Sequence, residues 1–182
     1  MLTDPERDHV RSVARTVQII VGAMGVGVAT FFGIAILLVQ QNAQFARAGS
    51  RGLTYASIAV ALLAAVAYVV VPRLIAERMR QAIIDGRSDD WGIVKNMPSA
   101  DKLGDLVPIM VVYQTRMIVG IALLEGAAFL ACIAYLFEHQ RITIIIAAAL
   151  LVGILSQLPT FARVESWAED ELVETGQLRQ LR

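Results

Sequence analysis

Four long intervals almost free of charge constrain this chain more than any other feature. No Asp, Glu, Lys or Arg occurs between Arg15 and Arg47, between Arg51 and Arg73, or between Arg141 and Arg163; between Arg116 and Glu138 there is one, Glu125. An α-helix rises about 1.5 Å per residue, so roughly 20 apolar residues cross the ~30 Å hydrocarbon core of a bilayer. Each interval reaches that length. A soluble bundle would show polar residues on every turn of its outer faces, and none of the four segments does. Composition agrees: 57% of the 182 residues are apolar and mean hydropathy is +0.61, above what a water-soluble domain of this size usually carries. The expected fold is an all-α integral membrane bundle, with spans near 17–40, 53–72, 117–137 and 142–160.

The basic residues set an orientation. Arg7, Arg11 and Arg15 precede the first span, Arg73 to Arg116 follow the second, and Arg163, Arg179 and Arg182 follow the fourth. Only Arg47, Arg51 and Arg141 lie on the other side. The positive-inside bias then puts both termini and the long central connection in the cytoplasm. The mixed, charged start and the length of the first apolar run disfavour a cleavable signal peptide.

Segments outside the spans also read as helix. Thr3 and Glu6 have capping-box spacing and Pro5 suits a first turn, so the first helix is expected to begin near Pro5 and run into the bilayer. The second span meets Pro72 and continues as a charged helix to Ile84; the fourth meets Pro159 and continues from Phe161 as a tail helix over 161–182. Between the second and third spans, 73–108 reads as a helix followed by a loop. In that loop Gly86, Gly92, Pro98 and Gly104 interrupt any long helix, leaving one short turn near Trp91.

The two exits prompt a comparison of the two halves. Setting 19–31 (IIVGAMGVGVATF) against 117–129 (MIVGIALLEGAAF) matches Ile20 with Ile118, Val21 with Val119, Gly22 with Gly120, Ala29 with Ala127 and Phe31 with Phe129. A duplicated hairpin is the expectation, its copies related by an axis along the membrane normal. In this pairing Gly27 corresponds to Glu125. Rows of small residues at four-residue spacing allow close helix packing in lipid: Gly25, Ala29 and Gly33, then Ala122 and Gly126, then Ala149 and Gly153. They serve either contacts within one chain or association between copies.

Glu125 is the residue that could carry chemistry. It lies nine positions from Arg116, roughly 13 Å down a helix and near the middle of the core. An ionised carboxylate there is costly, so it must be protonated, paired, hydrogen-bonded or wet. Counted along their own spans, Ser156 and Gln157 reach a similar depth and Tyr68 lies slightly nearer the cytoplasm, so these three are its expected partners at a candidate proton or cation site. The plainer role for Glu125 is a neutral acid hydrogen-bonded across a helix interface. Thr30, Cys132 and Thr143 read as satisfied by their own helix backbone, and Glu138 and His139 as solvated boundary residues.

Other functions are disfavoured. Net charge is zero, which gives no field for nucleic acid. A single cysteine and two distant histidines offer no disulfide, metal cluster or haem ligation, and no cofactor is expected. No nucleophile with its base or paired carboxylates can be found, and GAMGVG over 22–27 lies within an apolar span without a preceding strand, so an enzyme is not expected.

Gly120 to Phe137, GIALLEGAAFLACIAYLF, resembles the ion-carrying helix of the rotary ATP synthase c subunit, in which a carboxylate among small residues binds the transported proton or sodium within a ring of identical subunits. The resemblance covers that one helix and implies the ion-binding role for Glu125, with Ala122 and Gly126 as close-packing positions. The chain as a whole resembles small uncharacterised bacterial four-span membrane proteins, on an EGAAF segment at 125–129 and on a proline with a charged helix after the last span, 159–174. That likeness implies a fold without an activity. The sequence thus points to a multi-pass structural or interaction protein or a subunit of a membrane complex, with the lipid bilayer, further copies or other membrane chains as partners. The alternative is a transport element built on Glu125.

Overall fold

The computed structural model describes residues 2–41, 51–85, 103–104 and 106–180, without the side chains of 178–180. Among the described residues there are five helices and no strand: α1 Asp4–Gln41, α2 Gly52–Ile84, α3 Leu106–Glu138, α4 Arg141–Ser156 and α5 Phe161–Gln180. By length and composition α1, α2 and α3 can each cross a membrane, and a fourth span results if α4 and α5 are counted as one broken span. The architecture is thus all-α and compatible with a multi-pass membrane protein.

Local chemistry explains where the helices start and stop. At the start of α1 the Thr3 N–H and hydroxyl both donate to Glu6 Oε2, at 2.7 and 2.8 Å. The cap satisfies a donor that the first turn leaves without a helical partner, and α1 begins at Asp4, one residue before Pro5. At its far end α3 closes on His139, whose φ of 52° is the left-handed conformation common just past a helix end. The His139 N–H donates to the Tyr135 carbonyl at 2.9 Å, and Gln140 then leads directly into α4.

The two proline exits differ. Pro72 lies inside the continuous helix α2, where its missing N–H costs one helical bond. At Pro159 the helix has already stopped at Ser156, as the restriction on the residue before a proline favours. Two tighter bonds close the end of α4, Gln157 N–H to the Ile154 carbonyl at 3.1 Å and Leu158 N–H to the Leu155 carbonyl at 3.3 Å. The Gln18 side-chain amide donates to the Pro159 carbonyl at 2.6 Å, supplying a partner that the interrupted ladder cannot. The third helix begins at Leu106, so its first turn takes 106–108 from the stretch read as loop. The turn expected near Trp91 lies outside the described residues.

The chain forms two compact units, one of 1–18, 71–118 and 159–182, the other of 19–70 and 119–158. In the first unit, every position of α3 from Leu106 to Tyr113 is buried, a helix apolar round its whole circumference and therefore wrapped by neighbours. Val10, Ala14 and Val17 of α1, Ile83 of α2, and Val164 and Ala168 of α5 are buried in the same unit. Tyr113 packs on Trp167 with ring centroids 5.0 Å apart, and burial raises the pKa of its hydroxyl. Polar clasps then fix the acidic helix α5. Arg7 Nε donates to Glu165 at 2.7 Å, the Leu2 N–H to Glu169 at 3.1 Å, and Arg80 reaches Glu171 through Nε and both oxygens of Glu174 through its terminal nitrogens, at 2.8 and 3.0 Å. Arg11 lies over the Phe161 ring, 5.0 Å from its centroid.

The second unit is apolar and leaves much of its apolar surface uncovered. Its core gathers Ala35, Ala131, Cys132 and Ala147, with Phe31, Phe32, Tyr135, Leu136 and Ile146 packed against them. Along α2 in this unit only Thr54, Ser57 and Ala64 are buried, while Leu62, Leu63 and Val66 are each more than 60% exposed. Of all the exposed large apolar side chains among the described residues, every one except Leu74 and Val173 lies in this unit.

Arg80 is bonded to two acids of α5, Glu171 and Glu174. Replacing it with Ala is expected to cost about 1–2 kcal/mol, since Glu171 is left half-buried without its donor. Thermal unfolding in detergent and the rate of limited proteolysis within α5 measure this, and an unchanged midpoint with an unchanged cleavage rate contradicts it.

Candidate functional site

Glu125 lies on α3 in the second unit and is half-buried. Facing it is Gly27 of α1: a Cβ built on that glycine would stand 3.9 Å from Glu125 Oε1. The missing side chain leaves the carboxylate room. One turn further along, Phe31 and Phe129 meet edge to face with centroids 5.4 Å apart, so α1 and α3 run side by side over this stretch. On α4, Gly153 faces Leu124, whose Cδ1 would be 3.9 Å from a Cβ there. Gly25 packs tightest of the three, with Leu155 Cδ2 3.1 Å from where its Cβ would be.

The expected partners of Glu125 do not converge on it. Ser156 is exposed and its hydroxyl donates to the Gly153 carbonyl of its own helix at 2.8 Å. Because Gly153 is level with Leu124, Ser156 lies about one turn, on the order of 5 Å, from the level of Glu125. Gln157 caps the end of α4. Tyr68 is half-buried on α2, and Pro72 four residues later deprives its carbonyl of the usual helical donor. Among the described residues no hydrogen bond or ion pair joins Glu125 to any of these three, and no group of three or more His, Cys, Asp or Glu is placed to hold a metal. A lone carboxylate can exchange a proton or pair with a cationic side chain. It cannot by itself replace the several oxygen ligands that a hydrated metal cation gives up.

The small-residue rows divide between two uses. Gly25 and Gly153 are the positions where neighbouring side chains come close within the chain. Ala29, Ala122, Gly126 and Ala149 are exposed, and among the described residues nothing outside the local helix backbone lies within 4 Å of a Cβ built on Gly33 or Gly126. Thr143 is satisfied locally, its hydroxyl donating to the Gln140 carbonyl at 2.7 Å, and Cys132 is buried in the core.

One functional contact escaped the sequence. Glu138, read as a solvated boundary residue, caps α2: the N–H groups of Leu53 and Thr54 each donate to its carboxylate at 2.8 Å, and the Thr54 hydroxyl donates as well. The first turn of α2 has no acid of its own, so the end of α3 supplies the negative charge that a helix N-terminus favours. The residue before Gly52 is Arg51, so no Ser, Asp or Asn occupies the position directly ahead of the helix, and that is the signal that a partner comes from elsewhere. Desolvation pushes the Glu138 pKa up, but the bonds from Thr54 and Leu53 outweigh it and hold the carboxyl below its ordinary value of 4.5.

The sequence matches no known family, no curated protein and no solved structure.

A carboxyl whose folded pKa is depressed stabilises the fold above its unfolded pKa, and the contribution disappears as pH falls through the folded value. Thermal midpoints of the wild type are therefore expected to fall as pH drops below about 4.5. Glu138→Gln should have a lower midpoint at neutral pH and a shallower acid decline. Identical pH profiles for the two proteins contradict the cap.

Proposed function

We propose that this chain is a multi-pass structural or interaction module of a bacterial cytoplasmic membrane, a subunit that docks other membrane chains or further copies of itself, and not an enzyme. In this reading α1, α2 and α3 cross the bilayer, α4 with the break at 157–160 makes the fourth span, and both termini are cytoplasmic. The observation that carries it is the partition of surface. Among the described residues large apolar side chains face outward almost only on the unit of 19–70 and 119–158, which is what helices solvated by lipid or by other helices require.

The duplicated hairpin fits this reading. Gly27 and Glu125, and likewise Phe31 and Phe129, are equivalent positions in the two halves and also neighbours in space. Equivalent residues meet in this way where two copies pack about a shared axis along the membrane normal.

A second reading, reversible proton or cation binding by Glu125, is favoured by one observation, a carboxylate facing a glycine with no hydrogen-bond or ion-pair partner among the described residues. Intramembrane acids are often functional. Against a cation site stands the scatter of Ser156, Gln157 and Tyr68.

Vesicles of known sidedness test both points. With purified protein in liposomes, Glu125→Gln is expected to keep the wild-type particle mass and the wild-type level of proton and sodium leak, because Gln retains hydrogen-bonding capacity without titrating. A flux present in the wild type and absent from the variant at unchanged mass supports transport instead. In inverted cell-membrane vesicles protease should remove the tail, and a protected tail contradicts the orientation.

A further inference from the structure

Around the Gly27–Glu125 contact the exposed neighbours on both helices are small except Val26, which is 66% exposed. Ala23 and Thr30 flank Gly27 on α1, Ala122 and Gly126 flank Glu125 on α3, and all four are exposed. Among the described residues nothing outside the local helix backbone lies within 4 Å of a Cβ built on Gly126. A second helix could therefore lie close against this strip, and the carboxylate is at its edge, without a hydrogen bond or ion pair among the described residues. This is a polar group in an apolar surface with no partner, a condition that hydrocarbon penalises and a neighbouring helix can relieve.

The chemistry of the missing partner can be narrowed. A hydrated metal ion would find one carboxylate and no converging oxygen ligands, as described above. A lipid headgroup lies at the wrong depth, since Glu125 is nine residues in from Arg116 and thirteen from Glu138. A second copy of this chain brings no cation, because 16–46, 52–72, 117–137 and 142–162 contain no Arg, Lys or His. What complements an acid at this depth is a basic side chain held at the same depth, and intramembrane charges characteristically occur as such pairs. A guanidinium or ammonium also brings several donors for the two carboxylate oxygens.

We propose that Glu125, with the half-buried Gly27 and the exposed small residues Ala23, Thr30, Ala122 and Gly126, forms a docking strip for a transmembrane helix of a different chain that carries a Lys or Arg near its middle. The inference rests on the membrane-module reading above and names the class of partner. The small residues let the two backbones approach, and the carboxylate selects among helices that would otherwise be equally apolar.

Designed peptides test it directly. Three Leu/Ala helices of about 20 apolar residues, with Lys, Gln or Leu at the centre, carry a donor dye and are reconstituted with the full-length protein. The protein bears an acceptor at Gln177→Cys in a Cys132→Ala background. Energy transfer at neutral pH is expected to show the Lys peptide associating at least ten-fold more tightly than the Leu peptide. The preference should vanish in Glu125→Gln, and Gly126→Leu, which keeps the acid but fills the strip, should weaken association several-fold. Equal binding of the Lys and Leu peptides, or a Lys preference that survives Glu125→Gln, overturns the proposal. So does self-association of the wild type that Glu125→Gln abolishes while the Lys peptide shows no advantage, since that assigns the strip to a second copy. Circular dichroism and flotation with the liposomes keep the arms separate. A protein that does not float defeats the module reading itself, whereas one that floats, is helical and shows no Lys preference defeats only this inference.

Discussion

In hydrocarbon a backbone can satisfy its N–H and C=O groups only by pairing them with each other, because no water is available to take their place. That requirement makes unbroken helices the only economical solution for the apolar segments of this chain, and it explains features that would be costly in water. Gly22, Gly25, Gly27 and Gly33 are carried inside α1 without interrupting it, and α2 continues through Pro72. The same medium removes the usual reason to bury apolar side chains. The unit of 19–70 and 119–158 therefore holds together through small residues, ring contacts and a few hydrogen bonds, while Leu62, Leu63 and Val66 face outward. The unit of 1–18, 71–118 and 159–182 obeys the opposite rule, with the apolar segment 106–113 fully buried and the surface given to charged clasps.

Polar groups in the apolar unit are correspondingly few, and several are satisfied close to home. Thr143, Ser57 and Ser156 donate to carbonyls of their own helices or turns, at 2.7, 2.8 and 2.8 Å. Glu138 caps a neighbouring helix. Glu125 alone among the carboxylates of that unit has neither a donor nor a cation beside it among the described residues, and it faces a glycine. An acid without a polar partner in its own chain can be satisfied by a group beyond that chain, which is the basis of the docking strip.

Much of this was legible in the sequence because charge is absent so completely from the spans. The intervals ending at Arg73, Glu138 and Arg163 delimit the apolar runs, and the Thr3/Glu6 cap announces the start of α1. The notation of depth by counting was less informative. Ser156 and Gln157 count to the depth of Glu125 only if the last span is a straight helix, and α4 stops at Ser156, so both residues are spent on ending it. The likeness of the two exits was similarly partial, since Pro72 is absorbed and Pro159 marks a break. The role of Glu138 was hidden because a cap donated by another helix depends on which helix ends meet, and that is set by packing and not by spacing along the chain. The clasps of Arg7 and Arg80 on α5 join residues more than ninety positions apart, beyond any local pattern.

The claim on which all else depends is that lipid surrounds the outward faces of the apolar helices. Spin labels at Leu63 on α2 and at Ser166 on α5, each in a Cys132→Ala background and reconstituted in a bilayer, measure this through collision with oxygen, which concentrates in hydrocarbon, and with a water-soluble nickel complex. Strong oxygen relaxation and little nickel relaxation are expected at Leu63, with the reverse at Ser166. A Leu63 label as open to nickel as the Ser166 label would contradict it.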